Sequence, residues 1–148
     1  MSSRDELLAI ARDAAAVHEL EFALVCAVIE QESGWDTWAV RYEKDFFSRY
    51  IWPLFKEGKI DATEAHTRSM SYGLMQVMGQ VAREFGFTGK YLTELCDPHM
   101  GVEYGCRKLS RCLIEHNGGA ADALLAYNGG ADAEYPLEVL ARVKEYAV

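Results

Sequence analysis

Apolar positions recur along this chain at the three-and-four spacing of helices, and no segment shows the sustained alternation of a half-buried strand. Leu7, Leu8, Ala11, Ala14 and Ala15 make one face of a first helix, and Ser3 to Glu6 reads as a capping box in front of it. His18 falls near its end, a last-turn or surface position. A second helix starts near Glu21. At about 100° per residue, Phe22, Val25, Ile29 and Glu32 lie within about 80° of one another, so a face that reads as core runs straight into a carboxylate. Glu30 falls about 160° away from Glu32 on the same helical count. Ser33 and Gly34 stop the helix, and Trp35 and Trp38 follow. A carboxylate ending a buried stripe beside two indoles is expected to be poorly solvated, which disfavours its charged form and makes Glu32 a candidate general acid. From this stretch alone an ordinary solvated last-turn glutamate is the alternative.

Further helices follow the same logic. Phe46, Phe47, Tyr50, Ile51 and Leu54 recur at helical spacing between Tyr42 and Phe55, with Pro53 and Gly58 marking the end; this aromatic stripe reads either as core or as a sugar-stacking wall. Asp61 to Glu64 caps a short helix toward Arg68. The run from Ser69 to Gly79 starts with small, turn-prone residues and passes into a helical pattern through Val77, Val81 and Phe85, stopped at Gly86. Asp97 and Pro98 form an N-cap and first-position pair for a helix to about His116, inside which Gly105 marks a close crossing. Two more helices are predicted over Ala121 to Tyr127 and Pro136 to Tyr146. The expectation is an all-α chain of six to eight helices, folded as one domain over residues 1–148.

Composition narrows the class. The chain has 148 residues, enough for one core without staples; 50% are hydrophobic and 26% charged, which is a globular balance. A net charge of -8 disfavours nucleic acid and anionic membrane as partners, since both need basic patches. No stretch approaches a membrane span, so no membrane insertion is expected. The N-terminus lacks the basic start and apolar run of a secretory signal, so synthesis in a cytoplasm is expected. There Cys26, Cys96, Cys106 and Cys112 are expected as reduced thiols; on one helix Cys106 and Cys112 would sit about 9 Å apart, beyond disulfide reach. No cysteine spacing forms a CxxC pair, and neither a metal nor another cofactor is expected.

Four short signals occur in a fixed order: Gln31-Glu32-Ser33-Gly34, Gly73-Leu74-Met75-Gln76-Val77-Met78, Gly105-x-x-Lys108-Leu109, and Ala126-Tyr127-Asn128-Gly129-Gly130. Together they resemble the catalytic domain of the soluble lytic transglycosylases, lysozyme-like enzymes that cut the glycan of bacterial peptidoglycan, over roughly Glu21 to Val143. The resemblance implies a lysozyme-like fold with a substrate groove, Glu32 as the catalytic acid and Tyr127 beside it. It also implies Ser33, Gln76, Met78, Asn128 and Tyr135 as substrate-binding residues, with Asn128 shaping the site. Tyr135 and Val139 resemble the family's closing Tyr-Val-x-x-Val segment, with Pro136 in place of its first Val. Other departures are an insert of about residues 41–68, Arg41 where a serine is frequent, Gly79 where a proline is frequent, and Lys108 in place of the tyrosine of Gly-x-x-Tyr-Leu.

The chemistry can be argued from the residues as well. Cutting a glycosidic bond needs a proton for the leaving oxygen and stabilisation of an oxocarbenium-like centre, and a substrate with a 2-acetamido group can supply its own second group. One acid then suffices: Glu32 protonates the bond between MurNAc and GlcNAc and afterwards takes the proton of the MurNAc O6 hydroxyl, leaving a 1,6-anhydro end. Tyr127 is expected to donate a hydrogen bond to Glu32 or to the acetamido oxygen, and Gln76 to hold a sugar hydroxyl or amide. The nearest rival is a goose-type muramidase that activates water, with Glu43 as the possible second carboxylate; a glycan-binding domain without activity is the other. The expected partner is the peptidoglycan glycan strand, met in the periplasm or as part of a phage virion or lysis system, with the protein a monomer unless built into a phage particle.

Overall fold

A computed structural model describes residues 1–147. The chain is mostly helical. Helix α1 (Arg4–Val17) opens on the expected capping box: the Ser3 hydroxyl accepts from the Glu6 amide while the Glu6 carboxylate accepts from the Ser3 amide. Helix α2 (Phe22–Ser33) is the centre of the core. All residues from Ala23 to Ile29 are buried, so its expected one-sided stripe is in fact burial all round, as befits a helix enclosed by neighbours on every side. Its C-cap, Gly34, takes the left-handed conformation at φ 59°, which costs an L side chain energy and costs glycine little.

After α2 comes what the hydrophobic pattern did not announce, a three-stranded antiparallel sheet. Its strands are β1 (Val40–Tyr42), β2 (Met70–Tyr72) and β3 (Val77–Met78), in the order β1-β2-β3. Strands of two or three residues are too short to show a period. The register pairs Arg41 with Ser71 and Ser71 with Met78, which puts these three in one cross-strand row; Val40, Tyr72 and Val77 form the neighbouring row. Because successive strand side chains alternate in direction, the two rows face opposite ways. Tyr72 and Val77 enter the core, leaving the row of Arg41, Ser71 and Met78 for the other face.

Between β1 and β2 the insert folds as α3 (Lys44–Phe46), a π-helical turn over Phe47–Ile51, α4 (Trp52–Lys56) and α5 (Ala62–Arg68). The helix predicted over Tyr42 to Phe55 therefore exists but is wound more widely in its middle, and Tyr42 belongs to β1. The helical pattern expected to pass through Val77 starts later, as α6 (Gly79–Glu84), since Val77 pairs with Tyr72 across the sheet. A 3₁₀ turn (Leu92–Cys96) leads into α7 (Pro98–Glu115), capped by Asp97, whose carboxylate accepts from the Met100 amide. Helices α8 (Ala120–Tyr127) and α9 (Tyr135–Tyr146) complete the chain, with α9 packed along α2. The close crossing expected at Gly105 is made by a side chain: a Cβ there would stand 2.4 Å from the Met75 sulfur and 2.6 Å from its Cβ. All four cysteines are buried and unbridged; burial pushes the Cys26 and Cys106 thiols up to about 12, which leaves them unreactive.

Candidate active site

Glu32 sits in the last turn of α2 at the edge of a cleft of about 250 Å³. Each wall of this cleft comes from a different part of the chain. The sheet row supplies Arg41, Ser71 and Met78, the turn before β3 supplies Gln76, α7 supplies Lys108, and Tyr127 and Asn128 close the far side. Glu43 and Phe46 enter from the start of the insert. Two carboxylates, Glu32 and Glu43, thus share the cleft with two cations, Arg41 and Lys108.

Burial raises the pKa of Glu32 above its ordinary value of 4.5, against the opposing pull of a hydrogen bond from Tyr135 and the charges of Lys108 and Arg41; Glu43 adds to the rise. The Tyr135 hydroxyl donates to Glu32 Oε2 at 2.9 Å. Burial also pulls the Lys108 ammonium down, with Glu32 acting the other way. Lys108 Nζ donates to the Tyr127 carbonyl at 2.7 Å and stands 4.2 Å from the centre of the Tyr127 ring. The result is an acid that holds its proton longer than a solvated glutamate, with a hydroxyl donor and the Lys108 and Arg41 charges around it.

Several sequence expectations are corrected here. The hydrogen bond to Glu32 foreseen for Tyr127 is made by Tyr135, because Tyr127, buried to 2% exposure, donates its hydroxyl proton to the Met75 carbonyl at 2.7 Å. Tyr135, placed by motif among the substrate contacts, is buried, with its hydroxyl bonded to the acid. Ser33 does not face the cleft; its hydroxyl is bonded to the Leu74 and Ile29 carbonyls, tying α2 to the turn before β3. Gln76 does line the cleft, but both protons of its side-chain amide go to the Ala39 and Gly73 carbonyls at 3.0 Å, which leaves no donor for a sugar. It holds a left-handed backbone at φ 49°, strain of the kind that functional turns carry. The two indoles are not what desolvates Glu32. Trp35 is buried elsewhere, donating to the Tyr146 hydroxyl with Arg4 over its ring, and Trp38 is 70% exposed.

Met78, Asn128 and Glu43 all line the cleft. Glu43 Oε1 accepts from Arg41 Nε at 2.7 Å, and Asn128 Nδ2 reaches the Asp132 carbonyl at 3.5 Å. Lys108, Arg41 and Ser71 were missed as site residues. The signal for Lys108 was present: on α7 it shares a stripe with Gly101, Gly105 and Cys112, all buried, where a lysine has no structural reason to be. Among the described residues no cluster of three or more His, Cys, Asp or Glu suits a metal, and no helix is long and apolar enough to cross a membrane.

A mostly helical domain with a small sheet beside a half-buried acid, opening on a cleft lined by charged and polar side chains, is the lysozyme-like class of glycan-cutting fold. Within that class the chain belongs to the transglycosylase SLT domain family, whose model matches residues 9–135. At the level of the family this is lytic-transglycosylase-type cleavage of peptidoglycan. No solved structure matches the chain.

Proposed function

We propose that this domain cuts the β-1,4 bond between MurNAc and GlcNAc in peptidoglycan without consuming water. The observation that carries the reading is the carboxyl of Glu32, its pKa raised by burial and its Oε2 accepting from Tyr135 inside the cleft. In the forward step Glu32 gives its proton to the glycosidic oxygen as the bond from C1 to that oxygen breaks. The positive charge developing at C1 is met by the substrate's own acetamido group. The new Glu32 carboxylate is stabilised by the Tyr135 hydroxyl and by the Lys108 and Arg41 charges. It then takes the proton of the O6 hydroxyl as O6 bonds to C1, which restores the acid and leaves a 1,6-anhydro end. Tyr127 supports this indirectly, by fixing the Met75 carbonyl and the floor under Lys108. Met78 and Asn128 are the wall residues assigned to the saccharide.

A second reading is favoured by one observation, the presence of Glu43 in the same cleft. As a base it would activate water and make the domain a goose-type muramidase. Its ion pair with Arg41 instead supports a role in orienting that guanidinium. Mass spectrometry of fragments released from purified sacculi separates the readings, because anhydro ends lack one water relative to reducing ends. Glu32→Gln should abolish release. Glu43→Gln should leave anhydro products if the first reading holds and remove reducing-end products if the second does. Binding to sacculi with no fragments from the unaltered protein would mean a glycan-binding domain and would refute both. The setting we assign is a phage-associated lysin or virion-borne wall-cutting domain, which neighbouring genes would test.

A further inference from the structure

The insert does more than bridge β1 and β2. Its aromatic residues divide into two sets. One set anchors it: the Phe47 ring stacks on His66 of α5 at 4.7 Å and 8°, Tyr42 and Trp52 flank Phe47, and Ile51 is fully buried. The other set is Phe46 and Tyr50, whose ring centres lie 5.0 Å apart, with Tyr50 53% exposed. No aromatic ring of the insert joins the main hydrophobic core, so what distinguishes Phe46 and Tyr50 is the cavity they line. A π-helical turn over Phe47–Ile51 separates these side chains from an ordinary helical register, and single π turns recur at functional sites.

Phe46 and Tyr50, with Ile51, Leu54, Gln80 and Glu84, line a second cavity of about 370 Å³. Phe46 also lines the Glu32 cleft, so its ring is the shared wall between the two. The cleft around Glu32 lies below the size range of pockets that enclose a drug-sized ligand, and a polymer cut there must continue outside it. From this we infer that the insert builds an additional saccharide subsite, in which a further pyranose of the same glycan strand lies against Tyr50 and Phe46. The chemistry fits a sugar: aromatic faces for the apolar side of the ring, and at the edge the Gln80 amide, which donates to Glu84 Oε1 at 3.1 Å and accepts from Arg68 Nη1 at 3.4 Å, and keeps one N–H and one lone pair for hydroxyl or acetamido groups. None of the six lining residues is cationic and Glu84 opposes peptide carboxylates, whereas Arg49, 5.3 Å from the Tyr50 ring centre, and Arg68, bonded to Gln80, stand just outside the lining; peptide-bearing strands are therefore one arm of the test.

This inference rests on the glycan-cutting reading of the Glu32 cleft, and the test keeps the two apart by measuring binding as well as cutting. Affinity is measured by calorimetry on Glu32→Gln and on Glu32→Gln combined with Tyr50→Ala, using peptide-free glycan strands, a tetrasaccharide and peptide-bearing strands. Removing the ring is expected to weaken binding of long peptide-free strands roughly three- to tenfold while leaving the tetrasaccharide unchanged. Tyr50→Phe, which keeps the ring, should retain the parent affinity and serves as the folding control. An equal loss on both lengths, no loss at all, or a loss confined to peptide-bearing strands would overturn the subsite. If the unaltered protein cuts nothing yet binds long strands through Tyr50, the catalytic proposal fails and the subsite stands.

Discussion

Replacing Tyr135 by phenylalanine removes one hydroxyl and keeps the buried ring that starts α9. The hydroxyl donates to Glu32 Oε2 at 2.9 Å, and no other tyrosine can take its place, since the Tyr127 hydroxyl is committed to the Met75 carbonyl. A hydrogen bond to a charged group contributes about 1.5–3 kcal/mol, and this one strengthens as Glu32 passes from acid to carboxylate in the transition state. Its loss should therefore lower kcat by about 10- to 150-fold. The same bond holds the pKa of Glu32 down against burial, so the variant's acid should titrate at higher pH than the parent's. In the proposed mechanism catalysis needs the protonated acid, so the alkaline limb of the kcat/KM profile should move to higher pH while its maximum falls. The assay is release of soluble glycan fragments from purified sacculi across pH, with the thermal midpoint as a check on folding. A variant within twofold of the parent, or an alkaline limb that moves down or stays in place, would refute the reasoning that Tyr135 acts through Glu32.

Two further expectations concern stability. Burial raises the pKa of Glu32, so the folded state favours its protonated form; that contribution is present below the ordinary glutamate pKa of 4.5 and is lost as pH rises through the folded value. Glu32→Gln, expected to be inactive, should accordingly be more stable than the parent near pH 8, by about 1 kcal/mol or roughly 3 °C, with the difference gone near pH 4; calorimetric melts at the two pH values check this, and a lower midpoint at pH 8 would contradict it. Gly105→Ala gains about 1 kcal/mol of helix propensity but drives a Cβ into the buried Met75 side chain, where overpacking costs about 1–3 kcal/mol, so the urea midpoint should fall and activity with it, as Met75 carries the carbonyl that holds Tyr127.

Much of this molecule is legible in its sequence because the signals involved are local. A helix is closed by bonds four residues apart, so periodic apolar positions, the Ser3 capping box, the Asp97-Pro98 start and the Gly34 stop suffice to locate α1, α2 and α7. Glu32 was legible for the same reason: its place at the end of a buried helix depends on residues within two turns of it, and the ordered motifs named the family. What only the tertiary structure decided is which groups meet. The partner of Glu32 lies 103 residues away on α9, and whether Tyr127 or Tyr135 reaches it depends on how α9 packs along α2. Ser33 and Gln76 sit in the expected motifs, yet their protons are taken by carbonyls of other segments, a choice made when the turn before β3 closes on α2 and on Ala39. The three strands were invisible because two or three residues hold no period, and the cleft face they present exists only through their pairing. Local hydrogen bonding writes helices into neighbouring residues, whereas a site is assembled from contacts whose partners are fixed by packing.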